Sequence, residues 1–390
     1  MDLYTLNENF LAQSLIDDFT SAIWTERFTK SGDCQVVLPA TSENVEIAKP
    51  GTYLALRGTR EVMELQTQSI ENRMLTVVGV SLVEALLNRR NIWFPAVSPE
   101  ESLITDYSQD SAKVGEFIAS VVSQMAIDCV PFTGSFAPVN LDWDNEEIPS
   151  LTLGTVEHIG DLGRRTVATG PLYDGISQLA DAESMGISLY LESADPITGY
   201  SLKFTAYGGN DHTSGQIIRP VIRLLPDVDA LANPKELYSN SAFKNVCYVM
   251  YNNTVTKFLL DPDLPEPIGL DRRVIIVNAE GQPVGHPVTV IGQWGRPYTE
   301  TVIGTDDVDA FLEQNARNAF ANHNYVRAID GQTSPLSTYR YGDDYRLGDL
   351  IELQGLTGTR STARVTEYIR SQDSTGERAY PTLSVVNPAP

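Results

Sequence analysis

Residues 34–78 decide the fold of the N-terminal part of the chain, because they carry four short β-rich segments. The segments are CQVVL (34–38), YLALR (53–57), VMELQTQ (62–68) and MLTVV (74–78). Turn-forming residues such as Lys49-Pro50-Gly51 separate them. Strands of this length and spacing are typical of a small antiparallel barrel or sandwich, so we predict a β-rich N-terminal module.

A short helix is predicted to close this module. Ser81-Leu82-Val83-Glu84 has the form of a capping box, in which the serine hydroxyl accepts a hydrogen bond from a free backbone N–H. Arg89 and Arg90 follow the apolar stripe, at the carbonyl end where positive charge is favourable. We expect residues 1–95 to form the first domain.

The next part of the chain combines helical and strand patterns. One helical face is predicted from six apolar residues at helical spacing: Val114, Phe117, Ile118, Val121, Val122 and Met125. A second helix is predicted from Pro171, a favoured first-turn residue. Alternating apolar residues in 187–191 and 202–206 predict a hairpin. Residues 96–215 are therefore predicted to form an inserted α/β domain.

Strand patterns return in the C-terminal half. The runs 246–251 and 255–260 flank Asn252-Asn253, a plausible two-residue turn because asparagine tolerates positive φ. With further strands at 273–277 and 288–293, they predict a second barrel-like domain over 216–300.

The last predicted domain, 301–390, begins with a helix capped by Thr305 and Asp306. Three strands are predicted to follow: 350–353, 362–370 and 379–386. The fold class predicted for the whole chain is α+β, mostly β, with several domains.

Composition narrows the functional classes. The 390 residues are 42% hydrophobic and 20% charged, which is typical of a folded protein, and 28 Lys and Arg against 51 Asp and Glu leave a formal charge of −23. Sequence-independent binding to nucleic acid or to an anionic membrane needs excess cations, so neither is predicted as the main role. The acidic, polar N terminus does not resemble a secretory signal, and no apolar run of about 18 residues predicts membrane insertion.

No metal, cofactor or disulfide site is predicted. Cys34, Cys129 and Cys247 lie far apart without CxxC spacing, so we expect buried thiols. The four histidines are too scattered to form a metal-binding pair on a helix.

The sequence contains two weak catalytic patterns. Ser241-Ala242-Phe243-Lys244 has the SxxK spacing of serine acyl-enzymes, without the partner motifs that accompany it. Asp142-Trp143-Asp144, with Glu146-Glu147, combines acids and an indole as a glycoside hydrolase site would, but a solvated acidic loop explains it as well. Read as a calcium loop from Asp142, it lacks the required glycine and glutamate. No catalytic residue is predicted.

Several segments, in a fixed order, resemble one protein family. Trp24-Thr25-Glu26-Arg27-Phe28 leads into the strand from Ser31 to Pro39, as in siphophage minor tail or baseplate-hub proteins, especially those of actinobacteriophages. Near the C terminus, Asp344–Leu350 is similar to the family's "D-Y-x-L-G-D-x-V" turn and strand. Cys34 departs from the pattern, which often has an aromatic residue there. The residues that carry the resemblance are Trp24, Arg27, Phe28, Gly32, Pro39, Gly51, Tyr53, Gly79, Tyr345, Gly348 and Asp349.

The resemblance implies a fold similar to the central hub protein of contractile-tailed phages, with two barrel-like tube domains and peripheral α/β domains. It implies a non-enzymatic homotrimer at the distal end of the tail tube, which links the tube to the tip or receptor-binding apparatus and forms the DNA exit channel. The implied partners are the distal tail protein, other tail-tip proteins and the tape measure protein, with DNA passing through without specific binding. The implied location is the tail tip of the virion, after assembly in the host cytoplasm.

Three other functions stay open from the sequence. A protein that binds saccharides of the host cell surface is suggested by 17 Tyr and four Trp, which could stack on sugars. A cell-wall hydrolase is the second alternative, and it is suggested by the acidic clusters. The third is a cellular protein of another role without hydrolase activity, such as the hub of a tail-derived injection machine. For the phage hub, we expect carboxylates along the channel to repel the passing DNA.

Overall fold

The structure is a computed structural model. It describes residues 1–92, 106–129, 147–158, 162–195, 199–225, 231–279, 283, 286–291, 297–323, 326–333, 339–355, 358 and 360–386. The chain divides into two compact units, one of Met1–Pro234 and Asp330–Ser384 and the other of Lys235–Ile329 and Val385–Pro390. The division into four domains stays a prediction.

Strands make up most of the regular structure, which confirms the mostly β, α+β class. Up to residue 224 the strands are β1 (Leu3–Leu6), β2 (Ala12–Ile16), β3 (Ser21–Arg27), β4 (Asp33–Pro39), β5 (Tyr53–Leu56), β6 (Val62–Glu71), β7 (Met74–Ser81), β8 (Asn91–Ile92), β9 (Asp106–Ala112), β10 (Leu151–Val156), β11 (Gly163–Ala168), β12 (Gly170–Pro171), β13 (Gly186–Asp195), β14 (Gly199–Tyr207) and β15 (Arg223–Leu224). The later strands are β16 (Leu231–Ser239), β17 (Val246–Tyr251), β18 (Thr254–Leu259), β19 (Val274–Asn278), β20 (His286–Ile291), β21 (Pro297–Val302), β22 (Val326–Thr333), β23 (Leu350–Gln354), β24 (Arg360–Asp373) and β25 (Gly376–Val386).

The helices are fewer and shorter than the strands. They are α1 (Ser42–Ile47), α2 (Leu82–Leu87), α3 (Val114–Val122), α4 (Leu172–Ala182) and α5 (Thr305–Asn322). A π-helical turn over Ser123–Ile127 continues α3, and a 3-10 turn covers Gly269–Asp271. Among the described residues, no helix is both long enough and apolar enough to cross a membrane.

An eleven-stranded sheet organises the first unit. Its order is β15-β23-β24-β3-β4-β7-β6-β5-β1-β2, and β25 pairs with β24 beside this path. The four strands predicted between residues 34 and 78 are confirmed as β4 to β7, and the three predicted C-terminal strands as β23 to β25. The sequence did not predict that β24 pairs with β3, with Arg370 opposite Trp24. The strand pairs of the described residues do not close into a barrel.

The described residues of this unit include two large apolar cores. One covers a face of the large sheet and includes Trp24, Cys34 and Leu38. The other packs α2, α3 and α4 against β13 and β14, and it buries all six residues of the predicted helical face around Phe117. The hairpin is confirmed as β13 and β14, with Leu189 opposite Phe204. Burial of apolar area is the main favourable contribution of both cores to folding.

Both ends of α2 differ from the prediction. Ser81 is the residue before the helix, but its hydroxyl makes no capping hydrogen bond. The helix ends at Leu87, and the Arg89 guanidinium binds the buried Glu64 carboxylate, 2.6 Å away, instead of the helix end. An ion pair with a buried carboxylate satisfies a charge that would otherwise be costly, and this outweighs the weaker attraction of the helix terminus.

The second unit has a smaller sheet in the order β18-β17-β19. The predicted turn is confirmed, with Asn252 and Asn253 at φ 46° and 61°. Helix α5 packs on this sheet through a core that includes Cys247, Leu312 and Phe320. The predicted caps of α5 are wrong, because Thr305 is already helical and the Gly304 N–H donates to the Asp307 carboxylate, 2.7 Å away. All three cysteines are buried and free, as expected.

Candidate functional site

The N-terminal and C-terminal motifs meet in the first unit. The Phe28 N–H donates to Thr366 O at 2.9 Å, and the Gly348 N–H donates to Val365 O at 2.7 Å. The two motifs thus flank adjacent residues of β24. The Phe28 ring is buried between the backbone of Gly348 and the Tyr207 ring, whose centroid lies 5.5 Å away.

Arg27 fixes the turn that follows β3. Its guanidinium binds the carboxylates of Glu367 at 2.8 Å and Asp33 at 3.0 Å, and it donates to Ser31 O at 2.9 Å. Partial burial lowers the pKa of Arg27, but the hydrogen bonds to Glu367 and Asp33 outweigh it and raise the pKa overall. Arg27 therefore stays charged and ties β3 to both β24 and the start of β4.

The remaining motif residues lie in three surroundings. Trp24 is buried in the core of the large sheet. Gly32 and Gly79 lie where backbones approach closely, because a Cβ would come within 2.4 Å of Thr25 O and 2.8 Å of Glu64 O respectively. Pro39 ends β4, and the Tyr53 ring lies 5.0 Å from the Phe10 ring. These side chains support the sheet and are not brought into one site. Gly51 lies in the turn before β5.

A pocket of about 560 Å³ opens beside the junction of the motifs. Its lining is rich in carboxylates, tyrosines and arginines: Glu26, Arg27, Arg60, Glu61, Glu157, Tyr190, Tyr207, Tyr341, Arg346 and Asp349. A second pocket of about 540 Å³, beside β1 and β2, has only exposed carboxylates, Glu8 and Glu46. The first pocket is therefore the candidate site.

Two carboxyl groups in this pocket have raised pKa values. Burial raises the pKa of Glu26, although the positive charge of Arg370 and a hydrogen bond from Tyr341 oppose it. Burial also raises the pKa of Glu61, and the negative charge of Glu26 adds to the effect. Because like charges in a buried site disfavour ionisation, the pair holds a proton at a pH where exposed glutamates have lost theirs.

Tyrosines surround the two acids. The Tyr341 hydroxyl donates to Glu26 at 3.1 Å, and its ring stacks on Tyr368 with centroids 3.6 Å apart. Burial and the nearby carboxylates raise the pKa values of Tyr207 and Tyr341 well above the ordinary range. Both phenols therefore stay protonated, and the Tyr341 hydroxyl remains a hydrogen-bond donor to Glu26.

Asp349 joins the C-terminal motif to the chain segment after β14. It is 2% exposed, and its carboxylate accepts N–H bonds from Asn210 and Arg346 at 2.7 and 2.8 Å. The His212 Nε2 atom lies 3.5 Å away. These contacts assign a positioning role to Asp349, because each of its partners is a backbone group or a buried side chain.

The two weak catalytic patterns of the sequence find no support in the described residues. Ser241 is exposed and its hydroxyl pairs with that of Ser239, 2.9 Å away, with no hydrogen bond to Lys244 described. Asp142, Asp144 and Glu146 lie outside the described residues. Among the residues that are described, no group of three or more His, Cys, Asp or Glu side chains could hold a metal ion.

The sequence did not predict the two acids of the pocket. Glu26 lies inside the quoted N-terminal motif but was not singled out, and Glu61, Tyr207 and Tyr341 carried no motif. Charged residues at strand positions look like solvent-facing ones until the pairing is known. No local signal would have brought these four together.

The chain is similar to known proteins in its sequence and in its fold. The model of the family described as Siphovirus ReqiPepy6 Gp37-like protein matches residues 2–383. No curated protein sequence matches the chain. Among solved structures, the 43 kDa tail protein of prophage MuSo2 from Shewanella oneidensis is similar, with a TM-score of 0.54 and 10% identity over 98% of this chain and 97% of that one. A tail protein from Neisseria meningitidis MC58 has a TM-score of 0.51 and 9% identity, over 100% of this chain and 97% of that one.

Proposed function

The chain belongs to the family of Siphovirus ReqiPepy6 Gp37-like proteins, and we therefore propose that it is a structural hub protein of the phage tail. In this proposal three copies form a ring at the distal end of the tail tube. The ring links the tube to the tip or receptor-binding apparatus and leaves an open channel for DNA. The fold shared with these two tail proteins supports a tail role, since it extends over nearly the whole chain.

The observation that supports a ring is the free edge of the large sheet in the first unit. In the described part of the chain, β2 pairs only with β1 and lies at one end of the sheet. Exposed strand edges are a liability in a soluble protein unless another chain covers them. Copies that close around an axis would cover such edges, and barrel-like tube domains would then arise in the assembly.

The partners and location follow from this proposal. The ring would contact the distal tail protein, other tail-tip proteins and the tape measure protein. It would be assembled in the host cytoplasm and stay at the tail tip of the virion. With a charge of −23 per chain, carboxylates along the channel would repel the passing DNA, so that it does not stick.

The test is the mass and shape of the purified chain. Light scattering should give about three times 42.9 kDa, and electron microscopy should show a threefold ring with a central hole. A particle that stays monomeric at the highest soluble concentration, or a closed particle without a hole, would contradict the proposal. A channel wall that is basic or neutral in such a reconstruction would contradict the role of the carboxylates.

We propose no enzymatic activity for this protein. The aromatic and acidic lining of the 560 Å³ pocket favours one second candidate, saccharide binding, because carboxylates and tyrosine hydroxyls hydrogen-bond sugar hydroxyls. Titration of host cell-wall saccharides by calorimetry tests it, with Tyr190→Ala as the pocket variant and Tyr4→Ala outside the pocket as the control. Binding that Tyr190→Ala abolishes would favour the second candidate over the hub.

A further inference from the structure

One loop of the first unit, residues 213–221, exposes two neighbouring isoleucines. Ile217 is 99% exposed and Ile218 is 87% exposed, and the exposed Arg219 follows them. Single exposed apolar residues are common in soluble proteins, but two adjacent ones at a loop tip form an apolar projection. We call residues 213–221 the isoleucine loop.

Hydrogen bonds hold the tip of this loop in one conformation. The Gln216 side-chain oxygen accepts the N–H groups of Ile218 and Arg219, each at 2.7 Å. Its amide nitrogen donates to the carbonyl oxygens of Thr213 and Arg219, at 3.1 and 2.9 Å. One glutamine therefore braces the backbone on both sides of the isoleucines.

The base of the loop is anchored to the large sheet. The Glu352 carboxylate, 6% exposed on β23, accepts the Ser214 N–H at 2.7 Å and binds the Arg223 Nε at 2.7 Å. The His212 Nδ1 atom contacts Pro220 O at 3.0 Å. A loop held this firmly loses little conformational entropy on binding, which favours a docking element over a mobile connection.

The second unit has a surface segment, residues 261–271, whose apolar and acidic side chains complement the apolar tip and the arginine of the isoleucine loop. It exposes three apolar side chains at large fractions: Leu264 at 61%, Ile268 at 77% and Leu270 at 100%. Between and beside them lie three exposed acids, Asp261, Asp263 and Asp271. Lys257 and Arg272 both bind Glu266, at 2.7 and 2.9 Å, and fix the middle of the segment.

Symmetry connects the two features. In a cyclic trimer each interface joins two different surfaces, one from each copy, so every chain must carry both halves of the contact. Copies with a charge of −23 repel one another unless cations meet acids at the contact. The isoleucine loop carries a cation beside its apolar tip, and the segment 261–271 carries acids beside apolar side chains.

We infer that the isoleucine loop of one copy docks on the segment 261–271 of a neighbouring copy. The inference rests on the trimer of the proposed function and names a contact that would hold it together. Stable interfaces bury at least about 1,200 Å² in total, so five apolar side chains act as the anchor of a larger contact. Anchors of this kind carry a large share of the binding energy.

Sedimentation equilibrium on the full chain tests the inference. The double variant Ile217→Asp and Ile218→Asp should weaken trimer formation by about 100-fold or more, because it places carboxylates against an acidic surface. Ile70→Asp, at a position 59% exposed on β6, is the matched control and should leave the trimer intact. An unaltered trimer in the double variant would overturn the inference but not the proposed function.

Charge reversal tests the choice of partner. Arg219→Asp should weaken the trimer by about 10-fold, and adding Asp263→Arg and Asp271→Arg should restore it. Failure of the restoration would overturn the assignment of the segment 261–271. A wild-type chain that is monomeric would instead remove the proposed trimer, so the two failures can be told apart.

Discussion

The Phe28 ring lies directly against the backbone of Gly348, so closely that a Cβ on Gly348 would come within 2.3 Å of its Cε2 atom. Gly348 also has φ at +89°, a conformation that side chains disfavour. Two motifs from opposite ends of the chain therefore meet at a contact that only glycine permits.

Replacing Gly348 tests this contact. Gly348→Ala should lower the free energy of unfolding by about 2–5 kcal/mol, because backbone strain and overpacking against Phe28 add together. Gly342→Ala is the matched control, since its φ is +92° but no atom lies within 4 Å of the added Cβ. It should cost only the strain, about 1 kcal/mol. Chemical denaturation measures both, and equal losses would show that Phe28 is not the obstacle.

The buried face of α3 gives a second prediction. Phe117 is 1% exposed, so Phe117→Asp places an unpaired charge in the core and should cost more than about 3 kcal/mol. Ser120→Asp, at a half-buried polar position of the same helix, should cost much less. Thermal unfolding compares the two variants. Unchanged stability in Phe117→Asp would refute the packing of α3.

The pocket acids predict a pH dependence of stability. Burial and the charge of Glu26 raise the pKa of Glu61 from 4.5 to about 8. A carboxyl that binds its proton more tightly in the folded state stabilises it fully below the unfolded pKa, and this contribution is lost as the pH rises through the folded pKa. Relative to Glu61→Gln, the wild-type chain should therefore lose stability between about pH 4.5 and about pH 8.

Denaturant unfolding across this pH range measures the difference. Arg27 and Asp33, which also act on Glu61, are the same in both proteins, so the difference between the two pH profiles reports Glu61. The control is Glu46→Gln. Glu46 is exposed, and its hydrogen bond with Lys49 lowers its pKa, which gives the opposite sign. Parallel pH profiles for wild type and Glu61→Gln would contradict the buried, protonated carboxyl.

The thiols give a fourth prediction. Burial raises the pKa of Cys34 to about 12, and burial also raises the pKa values of Cys129 and Cys247. Because the thiolate is the reactive form, a thiol reagent at neutral pH should label the folded chain slowly and all three sites rapidly after denaturation. Rapid labelling of Cys34 in the native protein would contradict its place in the core.

Local patterns predicted many elements of this fold. The period of the apolar residues predicted α3 and its buried face, because helix geometry places such residues on one side whatever they pack against. The Asn252-Asn253 turn was predicted because few residues adopt positive φ. The N-cap of α5 was not predicted, because the helix could begin at any of several neighbouring residues. The hydrogen bond between the Gly304 N–H and the Asp307 carboxylate decided between them.

Local sequence patterns did not predict the candidate site. Its motif residues Arg27 and Asp349 were each named from the sequence, but nothing local showed that they line one pocket. Glu26 reads as an ordinary polar strand residue, because its contacts with Arg370 of β24 and with Tyr341 are formed only in the folded chain.

The amino-acid order alone determined where many strands and helices form and which faces are apolar, since both depend on neighbours within a few residues. It also carried the family resemblance, through motifs in a fixed order along the chain. Only the tertiary structure decided that the last strands of the chain complete the first sheet, and that Glu26 and Glu61 line one pocket with Tyr341. The physical reason is that strand pairing and desolvation depend on partners hundreds of residues away, and the same local pattern allows many such partners.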